Sequence, residues 1–179
     1  MGLFKKIGDA LNKIDYHIAS DPEVVGRRFE DHVEKLFDQK YFLLTEKTHS
    51  FDTNKQRYVE SSLNPDLIWT YKPKGEQFAV ECKYRSAASI DNRGRLNIAS
   101  QEQLNRYKAF SEQRKMPVFM VIGLEMAEDD GDDDLPNVEK YMSCIPINEL
   151  RYTAIYDTVF SKYERPYDKP FFWKNGNLF

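Results

Sequence analysis

The part of the sequence that constrains the fold most runs from residue 64 to residue 85 and predicts a β-hairpin. Residues 66–71 and 76–85 form two strand-like runs, separated by the four residues Lys-Pro-Lys-Gly at positions 72–75. Proline in the second position and glycine in the fourth are both favoured in a type I turn. The two runs are therefore expected to pair as antiparallel strands.

The predicted register brings two acidic side chains together. Counting outward from the turn places Trp69 opposite Phe78 and, at the far end of the hairpin, Asp66 opposite Glu81. Directly opposed residues have Cβ atoms about 4.5–5.5 Å apart, so two carboxylates destabilise the pairing unless a cation lies between them. Because side chains alternate along a strand, Lys83 lies on the same face as Glu81. A carboxylate pair with an adjacent lysine suits a divalent metal ion and a water molecule held beside it.

The same residues form a known motif. Pro65 and Asp66 are followed, after fourteen residues, by Glu81, Cys82 and Lys83. This Pro-Asp…Glu-x-Lys pattern closely resembles that of the PD-(D/E)XK nuclease superfamily, whose members share a restriction-endonuclease-like fold. The resemblance implies hydrolysis of phosphodiester bonds assisted by Mg²⁺, for which Mn²⁺ can substitute. It implies that Asp66, Glu81 and the backbone carbonyl of Cys82 bind the metal, and that Lys83 orients or deprotonates the attacking water.

A helix is predicted upstream of the hairpin and continues to about residue 39; it starts either at a Ser-x-x-Glu capping box at residues 20–23 or with Asp21 as the cap and Pro22 in the first turn. Glu30 lies at the edge of its apolar stripe, four residues after Gly26. In the RecB-like branch of the superfamily the first core helix often supplies a glutamate a few residues after a glycine, and this segment looks like that element. The resemblance implies that Glu30 holds the ion through water or binds a second ion. An ordinary solvated glutamate is the alternative.

A second helix is predicted from the capping box at residues 100–103 to about residue 115. Gln103 and Tyr107 are four residues apart and therefore share one helix face. The same Gln-x-x-x-Tyr spacing follows the Glu-x-Lys strand in RecB-like nucleases. The resemblance implies that both residues lie at the metal site and position the substrate or Lys83. The alternatives are that Gln103 only completes the cap and that Tyr107 only fills the core.

Three arginines follow the Glu-x-Lys motif closely. Residues 84–99 contain Arg85, Arg93 and Arg95 and few bulky apolar side chains. Arginine forks there could bind phosphate groups, or the segment could be a solvated connection. Because the net charge of the chain is −3, nucleic-acid binding must depend on such local clusters. We expect DNA rather than RNA as the partner, and a homodimer is one assembly open to the chain.

The order of predicted elements matches the αβββαβ core of the restriction-endonuclease-like fold, an α/β architecture with a central mixed sheet flanked by helices. The first strand is predicted at residues 41–48. The apolar run at 116–124 predicts a buried strand that returns parallel to the Glu-x-Lys strand. This core covers about residues 21–124. Beyond it, a strand is predicted at 141–147 and a helix at 148–161.

The two ends and an acidic segment are predicted to be additions to a single domain spanning residues 1–179. Residues 1–19 predict an amphipathic helix that packs on the domain or on a partner; a helix lying on a membrane surface is the alternative. Residues 128–134 predict a solvated, acidic hairpin tip; a metal site and a mimic of nucleic acid are the alternatives. In the C-terminal extension, residues 141–179, the aromatic tail from residue 163 is expected to fold back over the core, with base stacking as the alternative.

The two cysteines, Cys82 and Cys144, fall in apolar runs and are predicted to be buried thiols rather than a disulfide. Free thiols favour a reducing, cytoplasmic location. No stretch approaches the roughly 18–20 apolar residues that a membrane span needs, so we expect no membrane as partner.

The leading functional hypothesis is a Mg²⁺-dependent DNA endonuclease of the restriction, defence, repair or recombination type. A second hypothesis is a catalytically silent DNA-binding or assembly module on the same fold. A third is a nuclease directed to DNA junctions or to RNA, because substrate choice depends on loops and assembly rather than on the motif.

Overall fold

The computed structural model describes Phe4 and residues 22–48, 64–128 and 137–179. Its helices, numbered along the described residues, are α1 (Pro22–Lys35), α2 (Gln101–Arg114) and α3 (Asp157–Lys162). Its strands are β1 (Phe42–Lys47), β2 (Leu67–Tyr71), β3 (Glu76–Ser86), β4 (Arg95–Asn97), β5 (Val118–Glu128), β6 (Asn137–Pro146), β7 (Ala154–Tyr156), β8 (Glu164–Arg165), β9 (Trp173–Lys174) and β10 (Asn177–Leu178).

A central mixed sheet organises the fold. Within the described ranges it has the strand order β1-β2-β3-β5-β6-β8. β3 and β5 are parallel, and the other neighbouring strands are antiparallel. The chain thus runs helix, strand, hairpin, helix, strand through α1, β1, β2, β3, α2 and β5, which confirms the predicted order of the α/β core and the parallel return of the buried strand.

The hairpin of β2 and β3 has the predicted register. Trp69 pairs with Phe78, and Tyr71 pairs with Glu76 at the turn. The four-residue loop closes through a hydrogen bond of 2.9 Å from the Gly75 amide to the Tyr71 carbonyl. Gly75 has a φ of +66°, in the left-handed region where glycine carries no steric cost, and this conformation lets the chain reverse direction within four residues.

The two helices cover opposite faces of the sheet because side chains alternate along β3. Phe78, Val80 and Cys82 point into one apolar cluster, which α1 completes with Phe29 and Val33. Ala79 points into the other cluster, which α2 completes with the buried side chains Leu104, Tyr107 and Phe110. Glu81 and Lys83 follow the alternation of Ala79 and therefore face α2.

Helix α1 packs on β5 at a position that only glycine allows. A Cβ atom built on Gly123 would lie 2.3 Å from Cε2 of Phe29, far inside van der Waals contact. Phe29 is itself buried, so its ring has little room to move away. The absence of a side chain at residue 123 thereby sets how closely α1, and Glu30 with it, approaches the sheet.

Two predictions about helices are wrong. The first helix was expected to reach residue 39, but α1 ends at Lys35 and tightens through a hydrogen bond from the Phe37 amide to the Glu34 carbonyl. Residues 148–161 were expected to form one helix. Instead they contain the end of a 3₁₀ turn, the strand β7 and all but the last residue of α3. Ile155 pairs with Leu96 of β4 and is buried, so tertiary pairing overrides the helical spacing of the apolar residues.

The aromatic tail folds back over the core, as predicted. Phe171 stacks on Phe37 with ring centroids 4.6 Å apart, and Trp173 stacks on Phe78 at 4.5 Å. The Trp173 indole also donates a hydrogen bond of 2.5 Å to the Glu76 carboxylate. These rings are occupied by the protein's own core, which excludes them as a stacking platform for bases.

Other predictions concern residues that are only partly described. Phe4 is buried and packs edge-on against Phe160 at 5.8 Å, whereas the rest of the predicted helix 1–19 lies outside the described residues. So do residues 49–63 and most of the acidic segment, which connects the antiparallel strands β5 and β6. Among the helices that are described, none has the length and apolar character needed to cross a membrane.

The two cysteines are buried free thiols, as predicted. Burial raises the pKa of the Cys144 thiol to about 12 and raises that of Cys82 well above its ordinary value, with the nearby carboxylates adding to the effect at Cys82. Both side chains are therefore protonated, unreactive core residues.

Candidate active site

Glu81 is the centre of the candidate site. It is buried on β3, and its Oε1 atom receives two contacts: Lys83 Nζ at 2.5 Å and the Tyr107 hydroxyl, which donates a hydrogen bond of 2.5 Å. Lys83 comes from the same strand two residues on, and Tyr107 comes from the second turn of α2. Strand alternation and the packing of α2 against this face of the sheet thus bring an acid, a cation and a phenol together.

Asp66 lies at the start of the hairpin, next to the same strand. The β2–β3 ladder ends at the pair of Leu67 and Val80, one pair short of the predicted opposition of Asp66 and Glu81. The Asp66 side chain instead accepts a hydrogen bond of 2.7 Å from the backbone amide of Cys82, between Glu81 and Lys83. Its carboxylate is therefore held against the Glu-x-Lys segment by β3 itself.

The acids influence one another electrostatically. The pKa of Asp66 is raised well above its ordinary value by burial and then by the charges of Glu81 and Glu30. The pKa of Glu30, on α1, is raised by burial and then by the charge of Glu81. Lys83 opposes both shifts. Three acids from α1, β3 and the start of β2 therefore share one region, with Lys83 as a cation among them.

The oxygen atoms of the site fit a small divalent cation. Glu81 Oε2 is buried and has no hydrogen-bond partner among the described residues, and a carboxylate oxygen in that state needs a cation or a water. Over the described ranges, no three carboxylate, thiol or imidazole groups are positioned to hold an ion by themselves. Mg²⁺ does not require that, because proteins usually bind it through one or two carboxylates, with water and substrate phosphate completing its shell.

The predicted partner of Tyr107 has a different contact. The Oε1 atom of Gln103 accepts a hydrogen bond from the backbone amide of Ser100, and the backbone amide of Gln103 donates to the Ser100 hydroxyl. This is a complete capping box, the alternative considered for this residue. In the structure Tyr107 therefore contacts Glu81, whereas the Gln103 side chain caps the start of α2.

Two of the three arginines predicted to bind phosphate have partners within the chain. Arg85 donates hydrogen bonds to the backbone carbonyls of Tyr84, Asn97 and Ile98, and so ties β3 to the end of β4. Arg95 forms a two-pronged pair with Asp91, at 2.9 and 2.8 Å. Arg93 remains exposed beside that turn. Arg93 can therefore extend toward an external phosphate without breaking a described contact, whereas the side chains of Arg85 and Arg95 are held in place by these internal contacts.

Sequence reasoning passed over one basic residue at this site, Arg106. Its guanidinium carbon lies 5.4 Å from the centroid of the Tyr107 ring. The sequence could have identified Arg106 by its position, because it lies three residues after Gln103 and directly before Tyr107 on the helix that was expected to contact the site.

Replacing Asp66 by asparagine should stabilise the metal-free protein at neutral pH. Because the pKa of Asp66 is raised on folding, its ionisation costs stability; the cost is absent below the unfolded pKa of about 3.9 and complete above the folded pKa. Asparagine keeps an oxygen that can accept the Cys82 amide while removing the charge. A tenfold weaker ionisation in the folded state corresponds to about 1.4 kcal/mol, so we expect Tm at pH 8 to rise by at least about 3 °C, with a smaller rise at pH 5.

Thermal unfolding in EDTA at the two pH values measures this effect. Asp38→Asn is the matched control, because Asp38 also accepts a backbone amide but is exposed. Adding Mg²⁺ should raise the Tm of the wild type and leave that of Asp66→Asn unchanged. A lower Tm for Asp66→Asn than for the wild type at pH 8 would show that the carboxylate is not under electrostatic strain.

Comparison with known proteins gives a distant structural match. No family model matches the sequence, and no curated protein matches it. Among solved structures, the chain is similar to Hjc, a Holliday junction resolvase from the archaeal hyperthermophile Archaeoglobus fulgidus, with 14% sequence identity and a TM-score of 0.49. The similarity covers 80% of this chain and 97% of that protein. A match this distant assigns no function to the chain.

Proposed function

We propose that the protein is a metal-dependent phosphodiesterase, and specifically a DNA endonuclease. The observation that supports this best is the state of Glu81. One oxygen of this buried carboxylate is shared by Lys83 and Tyr107, the other has no partner among the described residues, and Asp66 lies against the same segment of strand. A purely structural ion pair has no need for the unpartnered oxygen or for the additional acids.

The residues divide into those that bind an ion and those that act on water. Asp66, Glu81 and the Cys82 carbonyl would hold Mg²⁺, or Mn²⁺ in its place, and the ion would neutralise the charge that develops on the phosphate in the transition state. Lys83 Nζ would orient the attacking water as an ammonium donor or, as the neutral amine, accept the proton of that water. Since Lys83 contacts Glu81 directly, its ammonium group is already positioned beside the ligand that it would serve.

Two further residues would support this arrangement. Glu30 would contact the site through water or bind a second ion, because burial and then the charge of Glu81 raise its pKa, although α1 packs on the face of β3 opposite to Glu81. Gln103 would act on the site only through the cap that starts α2 and so positions Tyr107. DNA is proposed as the substrate because of the resemblance of the Pro65-Asp66 and Glu81-x-Lys83 motif to that of restriction-endonuclease-like nucleases.

A cleavage panel tests the proposal. Linear, circular, branched and single-stranded DNA, together with RNA, would be incubated with the protein in Mg²⁺, Mn²⁺ or EDTA. We expect cleavage of at least one DNA substrate with either metal and none in EDTA, and cleavage of a circular substrate identifies an endonuclease. Metal-stimulated DNA binding without cleavage would favour a catalytically silent module, and cleavage of RNA alone would overturn the choice of DNA.

Replacing Tyr107 by phenylalanine should lower cleavage while leaving the fold intact. The Tyr107 hydroxyl donates to Glu81 Oε1, and the ring is buried against α2 and the sheet, so phenylalanine retains the packing and removes only the hydrogen bond. A hydrogen bond to a charged group contributes about 1.5–3 kcal/mol, so we expect kcat to fall by about 10- to 100-fold.

Single-turnover rates and thermal unfolding of the two proteins separate the roles of this residue. Tyr163→Phe is the control, because Tyr163 packs at the edge of the same apolar cluster. An unchanged rate for Tyr107→Phe would return Tyr107 to a role in core packing only.

A further inference from the structure

Arg106 lies next to a side chain of the candidate site. It lies on α2 directly before Tyr107, and its guanidinium carbon is 5.4 Å from the centroid of the Tyr107 ring. The hydroxyl of that ring donates to Glu81 Oε1, the atom that also contacts Lys83. The cation is thus separated from the proposed metal ligand by a single aromatic side chain.

The Arg106 side chain has donor capacity that the protein does not use. Its Nε atom is buried and has no hydrogen-bond partner among the described residues. Buried N–H groups are nearly always bonded, and an unused one on a charged group is costly. Burial lowers the pKa of Arg85 against the opposing charges of Glu81 and Tyr107, and Arg85 donates hydrogen bonds to three backbone carbonyls. Arg106 is therefore the arginine beside Tyr107 that retains a buried unused donor.

An anionic substrate needs such a group at this place. The site contains Glu30, Asp66 and Glu81, and its lysine is already paired with Glu81. Before a metal ion binds, a phosphodiester that approaches three acids is repelled unless another cation binds its non-bridging oxygens. The planar guanidinium group is suited to this, because two parallel N–H donors can bind two phosphate oxygens at once.

We propose that the guanidinium group of Arg106 binds the backbone phosphate of the nucleic acid at the active site. This inference rests on the proposed nuclease function and adds a phosphate-binding residue to it. The contact positions the substrate and carries no sequence information, because phosphate groups are the same at every base pair.

Equilibrium binding of duplex DNA tests the assignment independently of catalysis. Dissociation constants of the wild type, Arg106→Met and Arg106→Lys would be measured by fluorescence anisotropy in EDTA, over a range of salt concentrations and with two unrelated sequences. Methionine keeps most of the apolar stem and removes the charge; lysine keeps the charge and removes the fork. Arg114→Met is the matched control, since Arg114 lies on the same helix at 5.6 Å from the Phe110 ring but is exposed and remote from Glu81.

We expect Arg106→Met to raise Kd by about tenfold or more for both sequences and to reduce the slope of log K against log salt by about one. Arg106→Lys should recover the salt slope but not the full affinity, and Arg114→Met should stay within about twofold of the wild type. In cleavage assays the Arg106→Met effect should appear in KM as well as in kcat.

Two results would overturn the inference, and they are distinguishable. Suppose that the wild type binds and cleaves DNA. If Arg106→Met then binds with the same affinity and salt slope as the wild type, or if Arg114→Met loses as much affinity as Arg106→Met, Arg106 is not a specific phosphate ligand although the proposed function stands. If the wild type neither binds nor cleaves any nucleic acid, the proposed function fails and this inference fails with it. Thermal unfolding of each variant shows whether Arg106→Met is folded, and Arg106→Lys supplies the comparison if it is not.

Discussion

Replacing Lys83 by methionine should reduce metal-dependent DNA cleavage by about 100- to 10,000-fold, the range that a positioned acid–base group contributes. Lys83 Nζ lies 2.5 Å from Glu81 Oε1 and is partly exposed, so it combines contact with the proposed ligand and access to water. Methionine preserves the length of the apolar stem and removes the ammonium group. Single-turnover rates with excess enzyme measure the chemical step directly.

The controls for Lys83 must separate lost chemistry from lost folding. Removing one member of a buried ion pair leaves the other uncompensated, which alone can cost about 3–5 kcal/mol. The double variant Lys83→Met with Glu81→Gln removes both charges, and we expect it to be folded and inactive. Lys74→Met, at the exposed tip of the same hairpin, should cleave like the wild type. Cleavage by Lys83→Met at the wild-type rate would contradict the assigned role of Lys83.

Replacing Gly123 by alanine should destabilise the protein and impair the site without touching any proposed catalytic residue. The added Cβ would lie 2.3 Å from Phe29 Cε2, so α1 must move outward or the ring must leave its pocket. Overpacking of this kind costs about 1–3 kcal/mol, and we expect Tm to fall by about 3–10 °C. Because Glu30 follows Phe29 directly on α1, cleavage should fall in the fraction that remains folded.

A second substitution in the same contact tests this explanation. In Phe29→Leu the side chain is smaller, so this change should recover part of the stability lost in Gly123→Ala, while alone it should destabilise the protein. Thermal unfolding of the two single variants and the double variant gives their coupling. If the losses simply add, or if Gly123→Ala alone unfolds at the wild-type temperature, the close approach of α1 to β5 does not depend on Gly123.

The sequence was sufficient where local chemistry and strand periodicity agree. The turn residues and alternation around Pro73 and Gly75 predicted the β2–β3 register, and the capping box at Ser100 predicted the start of α2. The prediction that Lys83 lies on the same face as Glu81 followed from the two-residue period of a strand. These features depend on residues that are close in the chain.

Sequence reasoning failed where distant residues compete with local propensity. Residues 148–161 have apolar side chains at helical spacing, but Ile155 pairs with Leu96 about sixty residues earlier and forms a strand. Gln103 fits a nuclease motif and a helix cap equally well, and only the hydrogen bonds to Ser100 show its contact. The unused donor of Arg106 likewise depends on tertiary packing that no spacing rule describes.

Binding of Mn²⁺ tests the central claim most directly, because it asks whether the acids hold an ion without asking what the protein cleaves. Electron paramagnetic resonance titrations would compare the wild type, Asp66→Asn and Glu81→Gln, each with and without duplex DNA, and Asp38→Asn as the control. The predicted result is saturable binding by the wild type and by Asp38→Asn, with binding lost or weakened at least about tenfold when Asp66 or Glu81 loses its charge. Equal Mn²⁺ binding by all four proteins, or none by the wild type even with DNA, would contradict a metal site formed by Asp66 and Glu81.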